Sequence, residues 1–220
     1  MLSLIHSVMD LHVATYNIHK GFSHFNARMV IHELRDRLRG VGADVVFLQE
    51  VLGGHDVHAR RHIDWPDEPQ YEFLAQAVWG DFAYGRNAVY DHGHHGNAIL
   101  SRYPITSAEN QDISAHPFEH RGLLHCEITV PGSAQTIHAV CVHLALNERG
   151  RSRQLAAMIE RLNEMVPRNA PLVVAWAFVE LGSISPSVVW ADTIVEEMAS
   201  AAIIARKDRR SVSERIMFVL

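Results

Sequence analysis

Basic runs are missing from this chain. No stretch of Lys or Arg is longer than two residues, and the formal net charge is -5. A protein built to grip long nucleic acid usually carries a basic face, so that class is disfavoured. Cysteine is scarce: Cys126 and Cys141 lie on separate apolar, strand-like segments and form no C-x-x-C. That composition excludes a disulfide-framed small secreted domain and reads as buried, reduced thiols, with one disulfide as the alternative. No apolar stretch reaches the roughly 20 residues of a membrane span. Residues Met1 to Asp10 show neither a basic n-region nor a small-residue cleavage site, so a secretory leader is not expected. These absences lead us to expect a cytoplasmic protein. With 220 residues, 48% hydrophobic and 20% charged, the chain suits one folded domain with a full core.

Histidine, by contrast, is abundant, with 16 in the chain and a cluster at His92-Gly93-His94-His95. Their spacing fits no closed Cys/His zinc site, because the cysteines such a site needs are absent.

Periodicity gives a coarse element order. Leu11 to Ile18 alternates as a strand, and Asn26 is placed to cap a helix running to about Arg39, with Val30, Ile31, Leu34 and Leu38 on one face. Asp44 to Leu48 reads as a short strand buried on both faces, followed by a polar loop over 53–69 and a short helix over 71–79. Strands follow at 82–86, 96–102, 105–112, 122–130 and 135–143, then an amphipathic helix over 148–165 and a strand over 172–175. Strands mixed with helices in this order predict an α/β fold of packed sheets with helices outside.

Several polar residues stand at strand ends. Glu50 follows a buried strand, where a carboxylate is costly unless it is paired or bound to a metal; oxygen donors suit Mg²⁺, with Mn²⁺ as the alternative. Asn17 ends the first strand, Asn97 follows Gly96, and His143 ends a later strand. An amide can hold a phosphate oxygen or a metal-bound water, and an imidazole can stabilise developing charge or protonate a leaving oxygen. Taken singly, each has an ordinary alternative: a solvent-facing Glu, a turn-forming Asn, a structural His.

Four segments in order add to this: Thr15-Tyr16-Asn17-Ile18-His19-Lys20-Gly21, Leu48-Gln49-Glu50-Val51, His95-Gly96-Asn97-Ala98-Ile99-Leu100-Ser101-Arg102 and Cys141-Val142-His143-Leu144. Together they resemble the endonuclease/exonuclease/phosphatase superfamily of metal-dependent phosphoesterases. The resemblance implies a four-layer α/β/β/α sandwich over residues 11–175, incomplete toward the C-terminus. It also implies Glu50 and Asn17 as metal-site residues, His143, Asn97 and Asn17 as catalytic residues, and Arg121, Tyr84 and Arg86 as substrate-binding residues. The substrate would be a phosphate ester, small or lipid-derived rather than long nucleic acid in view of the acidic balance. Oligomeric state does not follow from the residues.

The pattern then breaks. The family's Gly-Asp-Phe-Asn is expected after Pro171 to Ala175, and the chain reads Trp176-Ala177-Phe178-Val179; no Ser-Asp-His follows. Ala177 and Val179 can neither accept a proton nor donate a hydrogen bond from their side chains. Residues 176–220 therefore read as a divergent or frameshifted tail, in which Val188 to Ala205 has the composition of a helix. Three expectations follow: a Mg²⁺-dependent phosphoesterase with weak or no turnover, a non-catalytic phosphate-ester-binding relative, or a truncated frameshift product.

Overall fold

The computed structural model describes residues 11–23, 28–133 and 135–177, together with the backbone of two further strands at 186–190 and 201–206. The first sheet contains β1 (Val13–Asn17), β2 (Val45–His55), β3 (Asp81–Tyr90) and β4 (Gly93–Ser101), in the order β1-β2-β4-β3. β1 and β2 run parallel, with helix α1 (Ile31–Val41) as their crossover, and the other neighbours are antiparallel. The second sheet contains β5 (Ile105–Asp112), β6 (Gly122–Ile128), β7 (Ile137–His143), β8 (Leu172–Ala177), β9 (Pro186–Trp190) and β10 (Ala201–Arg206). Its order is β5-β6-β7-β8-β10-β9.

The alternation of side chains builds the layers. Val13, Val45, Phe47 and Ile99 point from the first sheet into a core shared with Leu124, Cys126, Ala139, Cys141 and Ala175 of the second. The intervening residues Ala14, Val46, Leu48 and Leu100 face the other way, against α1 and α3 (Gln70–Ala75). On the far side, Val140, Val142, Val174 and Trp176 pack against Met158 of α4 (Glu148–Met165). Both sheets are thus buried on two faces, which is why Val45 to Leu48 of β2 and Ala139 to Val142 of β7 are unbroken apolar runs. The result is the expected α/β/β/α sandwich, and both cysteines are free and buried within it.

Some expectations need correction. Helix α1 starts at Ile31, not near Asn26, and its N-cap Val30 makes no side-chain cap. Ahead of it, Ser23 N donates to Arg28 O at 2.8 Å and Val30 N to Gly21 O at 2.9 Å. Asn26 itself lies outside the described residues. Strand β2 does not stop at Leu48, because pairing with β4 resumes at Val51. The polar loop contains a short helix α2 (Asp56–Arg61), capped where His55 Nδ1 accepts from His58 N at 3.1 Å. The tail segment expected to be helical carries strands β9 and β10, and β10 pairs antiparallel with β8. The exposed backbone of β8 offers a ladder partner that helix-like composition cannot register. Val179 and the rest of the tail lie outside the described residues.

Candidate active site

The site grows from an irregularity in β2. Leu48 pairs with Ala98 and Val51 with Gly96, so Gln49 and Glu50 together oppose the single residue Asn97. This bulge leaves Glu50 with φ of 54°, a left-handed backbone rare for a residue with a side chain. Simple alternation would send Glu50 toward the helices, as it does Leu48. The bulge brings it to the side where Asn17 and His143 stand, and it lies within the strand, not at its end as the sequence suggests.

Around Glu50 the contacts are polar. Asn17 Nδ2 donates to Glu50 Oε1 at 3.1 Å, and Asn17 Oδ1 accepts from His19 N at 3.0 Å. His143 Nε2 lies 3.9 Å from Glu50 Oε1, and His19 Nδ1 lies 3.8 Å from Oε2. His19, Lys20 and Gly21 follow β1 in a short turn with φ of 46°, 59° and 82°. Gln70, buried in α3, holds this turn in place. Its amide donates to Lys20 O at 2.7 Å and accepts from Leu52 N at 2.9 Å, tying the turn to the strand just beyond the bulge.

Asn97 spans the two sheets. Its Nδ2 donates to Gly122 O at 2.9 Å and Cys141 O at 3.2 Å. Two carbonyl partners assign the amide orientation. They also leave Oδ1 buried with no partner, so the free end of Asn97 is an acceptor, not a donor. His143 Nε2, His95 Nδ1 and Arg121 Nε are likewise buried without hydrogen-bond partners. Such orphaned groups at one place call for a water, an ion or a ligand.

The electrostatics keep the imidazoles neutral. Burial first, then the charge of Arg121, pushes His143 down to about 3 against the opposing pull of Glu50. Burial, with Lys20, brings His95 to about 4. For Glu50, burial pushes the carboxyl up, but His143, the Asn17 hydrogen bond, His19 and Lys20 outweigh it and hold it below its ordinary value.

Of the residues expected from sequence, Glu50, Asn17, Asn97, His143 and Arg121 share this end of the sandwich. Arg121 acts through the field it exerts on His143 and His95, while it pairs with Glu119 at 3.2 Å. Tyr84 and Arg86 do not join them. Tyr84 belongs to the helix-side face, stacked on Tyr71 at 4.6 Å with its hydroxyl 3.0 Å from His94 Nδ1, and Arg86 is exposed. Alternation from Ala83, which faces the inter-sheet core, would have shown this for Tyr84. The same rule would have found His95, two residues before Asn97. His19, Lys20 and Gln70 carry no such local signal.

The missing carboxylate has a definite position. Ala177 pairs in register with His143 across β7 and β8, and Leu144 N donates to Ala177 O at 2.9 Å. A methyl group therefore stands beside the imidazole.

Would this site suit a divalent ion? One ionised carboxylate, Glu50, and the unpartnered amide oxygen of Asn97 match the hard oxygen donors that Mg²⁺ takes alongside water. Among the described residues no group of three or more His, Cys, Asp or Glu could hold a metal, so water and substrate oxygens would complete the shell. His58 and His62 stand four apart on α2 and just beyond it, with ring centroids 5.8 Å apart. They stack with Phe22 and Trp65 as an aromatic cluster without a third ligand.

Comparison with known proteins bears on the fold. Residues 14–176 match the Endonuclease/Exonuclease/phosphatase family. The Escherichia coli K12 protein "Uncharacterized protein YbhP" is 54% identical over 166 residues, covering 76% of this chain and 65% of that protein. Its Shigella flexneri counterpart matches to the same extent. The chain thus spans about 65% of the length of the curated relatives it matches. Among solved structures, an endonuclease/exonuclease/phosphatase from Beutenbergia cavernae has a TM-score of 0.57 at 19% identity, covering 74% of this chain and 46% of that one. A mannosyl-6-phosphatase from Bacteroides thetaiotaomicron has a TM-score of 0.55 at 16% identity, covering 74% and 63%. These two likenesses are likenesses of fold.

Proposed function

Because the chain belongs to the endonuclease/exonuclease/phosphatase family, whose members generally use divalent metal ions, we propose that the cleft at Glu50 is a metal-dependent phosphoester site with weak or no turnover. Mg²⁺ is the favoured ion, with Mn²⁺ as the substitute, and a small or lipid-derived phosphate ester is the favoured substrate. Glu50, supported by Asn17, would hold the ion, which when bound supplies charge to polarise the phosphoryl oxygens.

The remaining residues act on their own account. His143, neutral and unpartnered at Nε2, is available to hydrogen-bond a phosphoryl oxygen. Asn97 presents Oδ1, so it would orient a water or a protonated oxygen, not donate to the phosphate. Arg121 and Lys20 favour an anion in the cleft. The observation that carries the reading is the β2 bulge, which turns an ionised Glu50 toward His143 and Asn17.

One observation favours a second reading, a phosphoester-binding protein without hydrolysis. Ala177 stands in register beside His143, and its methyl group can activate no water. Loss of a general base costs about 10²-fold or more.

Thermal melting with and without MgCl₂ or MnCl₂ tests the site. The wild type should be stabilised by metal and the Glu50→Gln variant should not. Equal stabilisation of both would remove Glu50 from the metal site. On a nitrophenyl phosphate diester, Ala177→Asp together with Val179→Asn should raise turnover without reaching normal family rates. Full recovery would show that the absent Ser-Asp-His is dispensable.

A further inference from the structure

A second cavity of about 530 Å³ opens between the β5–β6 connection and the start of α4. Phe118, His116, Glu119, Asn147, Arg149 and Arg153 line it. Its volume falls within the range of small-molecule sites.

Two features of its wall have no structural purpose in view. Phe118 is 90% exposed, yet the turn that presents it is tightly bonded. Glu119 N donates to His116 O at 3.1 Å, Phe118 N donates to His116 Nδ1 at 3.2 Å, and Arg121 N donates to Ser114 Oγ at 2.9 Å. An ordered turn that holds a phenyl ring in water is an informative exception to burial. Opposite it, Arg149 and Arg153 are exposed and form no ion pair with any described residue. Glu119, the acid in the wall, is already neutralised by Arg121 at 3.2 Å.

The opposite wall is equally well held. Asn147 caps α4, accepting from Gly150 N at 2.7 Å. The fully buried Gln154 accepts from Ala145 N at 2.7 Å, and Arg151 donates to Leu146 O at 2.6 Å. The cavity therefore combines a flat apolar ring, an imidazole 5.3 Å from it, two unpaired guanidiniums and the positive end of a long helix.

That chemistry matches a mononucleotide unit. A nucleobase can stack on Phe118 and His116 while Arg149 and Arg153 take its phosphate. The cavity is linked to the Glu50 cleft through Arg121. Glu119 in its wall grips Arg121, whose charge acts on His143. Asn147 follows His143 by four positions, a span of at most about 14 Å even when fully extended.

We propose that this cavity binds a nucleotide-like arm of the phosphoester substrate, so that the substrate class is a nucleotide-bearing phosphoester. The assignment rests on reading the Glu50 cleft as the phosphoester site.

Titration calorimetry on the full chain, with adenosine 5′-monophosphate as the probe and EDTA present, separates the two ideas. The nucleotide should bind saturably. Arg153→Glu, and likewise Arg149→Glu, should weaken it about 10-fold or more, the scale of one charge-assisted contact. Phe118→Ala should weaken it about 5-fold or more by loss of stacking. Glu50→Gln should leave it unchanged. All these positions are exposed or lie outside the core, and a melting curve for each variant confirms folding. Ribose 5-phosphate binding as tightly as the nucleotide would overturn the assignment, as would binding indifferent to Arg149, Arg153 and Phe118. Failure of the Glu50 reading shows separately, as absence of a Mg²⁺ response with nucleotide binding intact.

Discussion

Glu50 holds its carboxylate in the cleft through a left-handed backbone, with φ of 54°. That conformation costs a residue with a Cβ on the order of 1 kcal/mol, and Asn tolerates it better than Glu. Glu50→Asn should therefore stabilise the fold by about 1 kcal/mol or a little less while abolishing stabilisation by Mg²⁺. Urea denaturation with and without the ion measures both effects, and a destabilised variant would contradict the strain argument. Gln70 is the complementary case, since it touches no reacting group and only positions others. Gln70→Ala would leave Lys20 O and Leu52 N buried without partners, at about 1–3 kcal/mol each. A loss below about 1 kcal/mol in total would show that water replaces the amide. At this scale the sequence was readable where one residue type at a strand end suffices, as for His143 and Asn17. The orientation of Asn97 was not readable, because its amide is committed by carbonyls of two other strands.

Elements differ in how much of themselves they announce. Helix α4 spans Glu148–Met165, the range its periodicity predicts, and it carries its own cap in Asn147. Asn147→Ala should cost about 1 kcal/mol of stability, the usual size of an N-cap, and lower the melting temperature accordingly. An unchanged melting temperature would mean that Gln154 and Arg151 hold the helix start by themselves. Helix α1 announces its apolar face but not its beginning, which is set by the hydrogen bonds that Gly21 O accepts from Val30 N and Arg28 O accepts from Ser23 N. Strand β2 announces its buried half, whereas the bulge is a property of its pairing with β4 and appears in neither strand alone. The tail strands show the same limit, since β10 exists as a partner to β8.

On the scale of the whole molecule, histidine ties stability to pH. His125 and His138 lie buried on adjacent strands of the second sheet, with His125 Nε2 and His138 Nδ1 2.9 Å apart. Burial lowers both pKa values, with His138 adding to the effect on His125, while Glu127 pulls both upward and Glu109 pulls His125 upward without reversing the shift. A base whose folded pKa is depressed binds fewer protons folded than unfolded. Its stabilising contribution is therefore complete above the unfolded value of about 6.5 and is lost as pH falls below it. Denaturation midpoints should drop from pH 7 toward pH 5, and the double variant His125→Gln with His138→Gln should show a shallower drop. Parallel curves would place the pH dependence elsewhere. The break after Ala175 belongs to this scale too. If the tail is a frameshift, sequencing the gene across codon 175 should reveal Gly-Asp-Phe-Asn, and later Ser-Asp-His, in another frame.

From the sequence alone came the order of most strands and helices through β8, the two-sided burial of the first half of β2, and the motif series ending in His143. Each rests on patterns local to one segment, where a period of two or of 3.6 is visible. Only the tertiary structure decided which way Glu50 turns, that Asn97 offers an acceptor, and that Phe118 meets Arg149 and Arg153 across a cavity. These depend on pairing, register and loop closure between segments far apart in the chain, and no local period encodes them.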